Sequence, residues 1–205
     1  MKDKLTEIVR EFNLRRIYDD DSYQLPYSVT EDLVDDILKR RNKITNTEIP
    51  KVPQIGWVNG LYATAVGTGG ITVIQAFDTP SDKKYSLELT GKLGDVMKES
   101  VRCAKTIGWR IFHKDDKARV NEEWSENALH IHFPAAGTPK DGPSAGAAIT
   151  TAFISYFSKL PVRNYIAMTG EIDLYGNVRA IGGLQCKIEG AQRAGVKLVL
   201  IPRDN

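Results

Sequence analysis

The chain has 205 residues, enough for one sizeable core with a small appendage, and 41% of them are hydrophobic against 26% charged. Its 28 basic and 26 acidic residues leave a net charge of +2, which gives no electrostatic case for nucleic-acid binding. No apolar run approaches the roughly 20 residues of a membrane helix, and the first residues lack the apolar stretch of a secretory signal. With only 2 cysteines, the composition favours a reduced, intracellular protein.

The first 53 residues differ in pattern from the rest. Apolar residues at helical spacing predict a short amphipathic helix around residues 5–12. A second helix is predicted from a cap at Ser28 or Thr30 to the basic run at residues 39–41. Residues 49–53 contain two prolines and predict a stiff linker, so we expect a domain boundary after residue 53.

Beyond residue 53 the pattern indicates strands mixed with single helices. Strands are predicted at residues 57–66, 71–77, 85–89, 129–133, 164–169, 178–181 and 196–201. Helices are predicted at residues 97–111, 145–157 and 184–194. The first two strands are separated by Gly67-Thr68-Gly69-Gly70, which predicts a hairpin, and Gly195 is placed just past the last helix. This order favours an α+β fold over a doubly wound parallel sheet.

Ser144 stands where a loop rich in proline and glycine, residues 137–143, runs into a helix of small residues. A helix beginning there would aim unpaired backbone N–H groups at the group that the serine attacks, which suits a developing oxyanion. A serine hydroxyl needs a base, and Lys187 could serve if burial lowers its pKa from about 10.4. The residues around Lys187 are mostly small and apolar, and Thr169 could orient its amine through a hydrogen bond. This spacing favours a Ser–Lys hydrolase.

Histidine offers a second hypothesis, a Ser–His–Asp triad of Ser144, Asp141 and one of His113, His130 or His132. The last two share one face of a predicted strand, so they could approach the serine loop or bind a metal. No third ligand stands at a recognisable spacing, and a lone His-x-His is a weak metal signal. Strand histidines on a polar face are the simpler interpretation.

Three other hypotheses belong to different classes of protein or chemistry. Residues 139–148 resemble a phosphate cradle at a helix N-terminus, as in some small-molecule kinases. The chain has no Gly-x-x-x-x-Gly-Lys-Ser/Thr motif, which excludes a P-loop ATPase on this chain. Cys186 could be a nucleophile, although a buried structural cysteine is the better interpretation. An assembly module with a silent site is the non-enzymatic alternative.

Several long segments resemble the proteolytic domain of the Lon proteases, in that family's order and spacing. They are Leu89–Ser100, His130–Pro134, Pro139–Gly146, Ala167–Glu171 and Ile181–Lys187. The resemblance covers about residues 55–205. It is closest to the bacterial and mitochondrial type, with Pro-Lys-Asp-Gly-Pro before the serine, although residues 58–61 are similar to the archaeal membrane-bound branch.

The resemblance implies an α+β protease domain in which Ser144 is the nucleophile and Lys187 is the general base. It implies that Thr169 supports the lysine and that Asp141 and Gly142 shape the loop and the oxyanion site. The histidines are not catalytic by this analogy. The family resemblance further implies a serine endopeptidase that degrades unfolded or damaged proteins, as the proteolytic part of a hexameric, ATP-dependent protease in protein quality control.

The same resemblance sets expectations for partners and location. No cofactor or metal is expected on this chain, because ATP and Mg²⁺ would belong to the ATPase module of a longer parent protein. Expected partners are unfolded polypeptides and further copies of the chain, with no membrane and no indicated nucleic acid. The expected compartment is the cytoplasm or the mitochondrial matrix.

Two departures from the family pattern affect these expectations. Ala63 stands where the family usually has a tryptophan, so the shape of the substrate groove is expected to differ. The chain also ends before the family's closing segment, while residues 1–49 resemble the tail of the helical subdomain of the ATPase module. We therefore expect part of a longer protein: a helical segment and linker at residues 1–53, and a C-terminally truncated proteolytic domain at residues 54–205.

Overall fold

The structure, a computed structural model, describes residues 2–18, 28–32, 34, 47–112 and 114–205. The chain forms two compact units, Met1–Thr45 and Asn46–Asn205. In the first unit, helix α1 spans Lys2–Tyr18 and is longer than the stripe that predicted it. Part of the second predicted helix is described, with the Val34 N–H donating to the Thr30 carbonyl at 3.1 Å. The rest of that helix lies outside the described residues.

The second unit is built on a six-stranded mixed sheet. Its strands are β1 (Trp57–Ala63), β2 (Gly69–Pro80), β3 (Leu87–Thr90), β4 (Asn127–His132), β5 (Ile166–Met168) and β8 (Leu198–Leu200). They lie in the order β3-β4-β2-β1-β5-β8. The pairs β1–β2 and β2–β4 are antiparallel, whereas β1–β5, β3–β4 and β5–β8 are parallel. Strands β6 (Glu171–Ile172) and β7 (Val178–Arg179) form a separate two-stranded hairpin.

Helices cover this sheet, and the predicted α+β class is confirmed. They are α2 (Asp95–Ile111), α3 (Lys114–Ser125), α4 (Gly146–Ser158) and α5 (Leu184–Arg193). In the second unit the predicted strands and helices are present with shifted bounds, but helix α3 and the short strand β6 were not predicted. Gly195 follows α5 with a φ of 86°, and the N–H groups of Gly195 and Val196 close a Schellman motif, as its position predicted. None of the described helices is long and apolar enough to cross a membrane.

Two hydrophobic clusters lie on opposite faces of the sheet. The larger contains Val58 and Ile74 and packs against helices α2, α3 and α4. The smaller contains Leu61 and Ile71 and packs against Ala191 of α5. Because side chains alternate along a strand, even-numbered positions of β1 and β2 face α4 and odd-numbered ones face α5. Helices α4 and α5 are therefore separated by the sheet over most of their length.

The two sides of the sheet become accessible to each other where β5 ends at Met168. Beyond that residue, Thr169 still bonds β8, its N–H donating to the Leu200 carbonyl at 3.1 Å. The next residue, Gly170, no longer bonds β8, and its N–H donates to the Ser144 carbonyl at 2.8 Å. A side chain on one face can reach a residue on the other only beyond such a strand end. This is where a residue of α5 is joined, through Thr169, to the turn that leads into α4.

Candidate active site

Ser144 lies in a 3-10 turn, Pro143–Ala145, that leads directly into helix α4. The residue is half-buried. Its backbone carbonyl accepts hydrogen bonds from the Gly170 N–H at 2.8 Å and from Thr169 Oγ1 at 3.1 Å. The Ala147 N–H in turn donates to the Gly170 carbonyl at 3.0 Å. These contacts clamp the start of α4 to the end of β5.

Lys187 lies in helix α5 and is buried, with 3% of its surface exposed. Its Nζ donates to Thr169 Oγ1 at 3.3 Å. Burial lowers the pKa of Lys187 below its usual value, and no charged group among the described residues contributes to the shift. An amine in this environment loses its proton more readily than a solvated lysine does.

Thr169 connects the lysine to the serine loop. The side chain is 2% exposed, and its hydroxyl accepts from the Lys187 amine while it donates to the Ser144 carbonyl. A threonine hydroxyl has one donor and two acceptor positions, so both contacts can form together. The structure thus brings together Ser144, Thr169 and Lys187, which the sequence placed in three separate segments. Their catalytic roles stay predictions at this point.

Asp141 contacts the N-terminus of helix α2 rather than the serine. Its Oδ1 accepts from the N–H groups of Met97 and Gly142, both at 2.9 Å. These bonds, with the Met97 amide the largest cause, hold the pKa of Asp141 below its usual range. Asp141 is therefore a cap supplied to α2 from 44 residues away.

Two glycines make the Asp141 contact possible. A Cβ atom at Gly94 would lie 2.4 Å from the Asp141 carboxyl carbon, so a side chain there would collide with the cap. Gly142 adopts a φ of 112° with open space around its Cα. Its backbone conformation, rather than crowding, thus requires a glycine at that position. Both features fix the path of the chain into Ser144.

The two strand histidines bind a threonine on the neighbouring strand. Thr90 Oγ1 lies 2.7 Å from His130 Nε2 and 2.6 Å from His132 Nδ1. Both rings are thus committed to a contact within the sheet, and the Asp141 carboxylate is committed to backbone amides. These contacts disfavour the predicted Ser–His–Asp triad, whose third candidate, His113, lies outside the described residues. Over the described ranges, no group of three or more His, Cys, Asp and Glu side chains could hold a metal ion.

Cys186 contacts the β1–β2 hairpin, with its Sγ donating to the Gly67 carbonyl at 3.3 Å. The thiol is unpaired and half-buried, as is Cys103. A Cβ atom at Gly69 would lie 2.1 Å from the Cys186 carbonyl oxygen, so helix α5 approaches the hairpin backbone very closely. This packing supports the structural interpretation of Cys186 and fixes the start of the helix that carries Lys187.

Sequence reasoning missed several residues that hold the serine loop. The hydroxyl of Ser100 on α2 donates to the Pro143 carbonyl at 3.4 Å, the Gly94 N–H donates to the Lys140 carbonyl at 2.8 Å, and the Lys140 side chain bonds loop carbonyls. A glycine directly before a helix with no capping side chain of its own was a usable signal at Gly94, because such a helix needs a cap from elsewhere. Nothing local marked the other two, Ser100 and Lys140.

Comparison with known proteins identifies relatives of this chain. Residues 28–205 match the family model described as the Lon protease (S16) C-terminal proteolytic domain. The chain is 49% identical over 153 residues to a Lon protease of Trichlorobacter lovleyi, covering 74% of this chain and 18% of that protein. It is 42% identical over 182 residues to a Lon protease homolog of Acanthamoeba polyphaga mimivirus, covering 86% and 18%.

An archaeal relative aligns over more of the chain. A Lon protease of Methanosphaera stadtmanae is 40% identical over 185 residues, covering 90% of this chain and 22% of that protein. The chain thus spans only about a fifth of the length of these relatives.

Proposed function

This chain belongs to the Lon protease (S16) family, and from that membership and the site geometry we propose that it is a serine endopeptidase domain with a Ser144–Lys187 dyad. One observation carries the proposal: a buried lysine, without a charged partner among the described residues, is joined through Thr169 to the backbone of Ser144. Lysine can act as a base only when it is neutral, and burial favours the neutral form.

The proposed reaction has two stages. Neutral Lys187 takes the proton of the Ser144 hydroxyl while Oγ attacks the peptide carbonyl carbon. The resulting ammonium then protonates the leaving amine, and an acyl-enzyme ester remains on Ser144. In the second stage Lys187 takes a proton from water, the hydroxide attacks the ester, and the proton returns to Ser144 as the acid product leaves.

The position of Ser144 at the start of helix α4 supports the proposal that backbone N–H groups stabilise the oxyanion. The first N–H groups of a helix have no acceptor within the helix, and they point outward from its N-terminus. The 3-10 turn Pro143–Ala145 places the serine at this end. We assign oxyanion binding to backbone amides of this turn, with Gly142 and Asp141 holding the loop that carries them.

The proposed substrates are extended segments of unfolded or damaged proteins. Strand β1 pairs with β5 only at Asn59 and Gly60, although β1 continues to Ala63. Beyond Gly60, the side of β1 that faces away from β2 can therefore accept a peptide strand through backbone hydrogen bonds. A Cβ atom at Gly183 would lie 2.7 Å from the Ala63 Cβ, so the start of α5 borders the same strand end. A small residue at position 63 leaves room there for a bulky substrate side chain.

The wider role of the parent protein is also part of the proposal. Membership of the family supports assembly into a hexamer and degradation coupled to an ATPase module, inside the cell. The chain itself is proposed to need neither metal nor nucleotide. The competing phosphate-binding hypothesis for residues 139–148 expects saturable nucleotide binding, and a silent assembly module expects an oligomer with an unreactive serine.

Labelling with a peptide boronate tests the dyad directly. Intact-protein mass spectrometry should show one adduct on the wild-type chain and none on Ser144→Ala. The labelling rate should rise with pH through an apparent pKa below that of a solvated lysine. An unlabelled wild-type chain that binds ATP saturably, or equal labelling of Ser144→Ala, would overturn the proposal.

A further inference from the structure

Lys140 lies in the serine loop, and its ammonium binds three backbone carbonyls. Nζ donates to Ala135 O at 2.8 Å, to Thr138 O at 3.1 Å and to Gly91 O at 3.4 Å. A lysine ammonium has three N–H donors and no acceptor, so these three carbonyls use its full capacity. Nothing in the proposed chemistry uses this contact.

The contact is built without a carboxylate. Burial lowers the pKa of Lys140, and no charged group among the described residues adds to the shift. Three carbonyl dipoles directed at the ammonium favour its charged form, which opposes the effect of burial. The Lys140 ammonium is therefore a cation bound by backbone carbonyls.

Two of the three carbonyls belong to a turn that needs support. Ala135 adopts a φ of 61°, which is unfavourable for a residue with a Cβ atom. The Thr138 N–H closes the turn by donating to the Ala135 carbonyl at 3.0 Å. By binding the carbonyls of both residues, the Lys140 ammonium holds the arc from 135 to 140 in one conformation.

The third carbonyl connects that arc to the segment before helix α2. The backbone of Lys140 is bonded to the same segment, with its N–H donating to Lys92 O at 3.1 Å and its carbonyl accepting from the Gly94 N–H at 2.8 Å. The next residue, Asp141, caps α2. Residues 91–97 thus form a fixed seat, and the loop rests on it three residues before the turn that contains Ser144.

We propose that Lys140 is a positioning residue for the nucleophile, acting as a tethered cation that closes the 135–140 arc onto the seat at residues 91–97. The inference rests on the proposed serine protease function. It assigns Lys140 no contact with substrate, so its loss lowers the rate of acylation and leaves substrate binding nearly unchanged.

The test compares Lys140→Met and Lys140→Arg with matched changes at Lys84, an exposed lysine in the turn before β3. Hydrolysis of casein gives kcat and KM, and boronate labelling gives the reactivity of Ser144. Lys140→Met should lose about tenfold or more in kcat and labelling rate, since small displacements of a reacting group are costly. Its KM should stay within about threefold of wild type. Lys140→Arg should recover part of the loss, because it keeps the charge.

The outcomes separate the two proposals. Equal kcat in Lys140→Met and Lys84→Met would overturn the role of Lys140 alone. A wild-type chain that neither hydrolyses casein nor labels would overturn both proposals together. If Lys140→Met melts below the assay temperature, Lys140→Arg is compared with Lys84→Arg instead. There a loss of roughly threefold in kcat supports the proposal, and equal values overturn it.

Discussion

Lys140 lies in the serine loop and Lys187 is linked to it through Thr169, and the two ammonium groups differ in the number of acceptors around them. The Lys187 amine is buried, and its one hydrogen-bond acceptor among the described residues is the Thr169 hydroxyl at 3.3 Å. The Lys140 ammonium is half-buried and bonds three carbonyls. Burial lowers the pKa of both groups, but within the described ranges three acceptors surround the Lys140 ammonium and one surrounds that of Lys187.

Two side chains of the same type, Lys140 and Lys187, therefore suit two different roles near Ser144. Acceptors that bind every N–H keep an ammonium charged, which suits a structural cation. Burial with a single hydroxyl acceptor leaves an ammonium poorly solvated, which suits a base. The assignment of base to Lys187 and of positioning residue to Lys140 follows from this difference.

Replacing Lys187 with glutamine should produce the largest effect on activity. Loss of general acid–base catalysis is expected to lower kcat for casein by a factor of about 10² to 10⁴. Lys197→Gln, an exposed lysine just beyond the same helix, serves as the control and should stay near wild type. Activity retained in Lys187→Gln would falsify the base assignment.

Thr169→Val removes the acceptor that Lys187 has in the described part of the structure. The isosteric change also removes the donor to the Ser144 carbonyl, so kcat should fall by about 10- to 100-fold, corresponding to one or two buried hydrogen bonds. Thr169→Ser keeps the hydroxyl and should recover most of the activity. Equal rates for the valine and serine variants would contradict this role.

Gly94→Ala should disturb the contact between residues 91–97 and the loop that contains Lys140 and Asp141. The new methyl would lie 2.4 Å from the Asp141 carboxyl carbon, and overpacking of this kind typically costs about 1–3 kcal/mol. A lower melting temperature and reduced boronate labelling are expected. Gly137→Ala is the matched control, because its added methyl would meet open space. Equal melting temperatures for the two variants would show that the cap can move freely.

Lys187→Met should give the smallest change, an increase in stability on the order of 1 kcal/mol at neutral pH. In the folded state the pKa of Lys187 is lowered, so between that value and its unfolded value the unfolded chain binds more protons. Wild-type stability should therefore rise as pH rises through this window, which ends near the usual pKa of a lysine. Thermal unfolding as a function of pH should show the rise in wild type and Lys197→Met, but not in Lys187→Met.

The sequence by itself determined the elements whose signals are local. Helix α2 was predicted by its apolar stripe and β4 by its alternation, because a helix or strand must bury one face. The end of α5 was predicted by Gly195, which adopts the positive φ common just after a helix. The sequence also supplied the candidate residues Ser144, Thr169 and Lys187 through the motifs that contain them. Helix α3 was not predicted because it has no long apolar stripe: among its described side chains, only Val120 and Trp124 are apolar and fully buried.

Only the tertiary structure decided which distant groups meet. The strand order depends on pairing between segments far apart in sequence, and the link between Lys187 and the turn that carries Ser144 depends on where β5 ends. The cap from Asp141 to Met97 and the three carbonyls around Lys140 carry no periodic signal. Such contacts involve backbone groups, which every residue has, so the sequence can indicate that α2 needs a cap but not which distant residue supplies it.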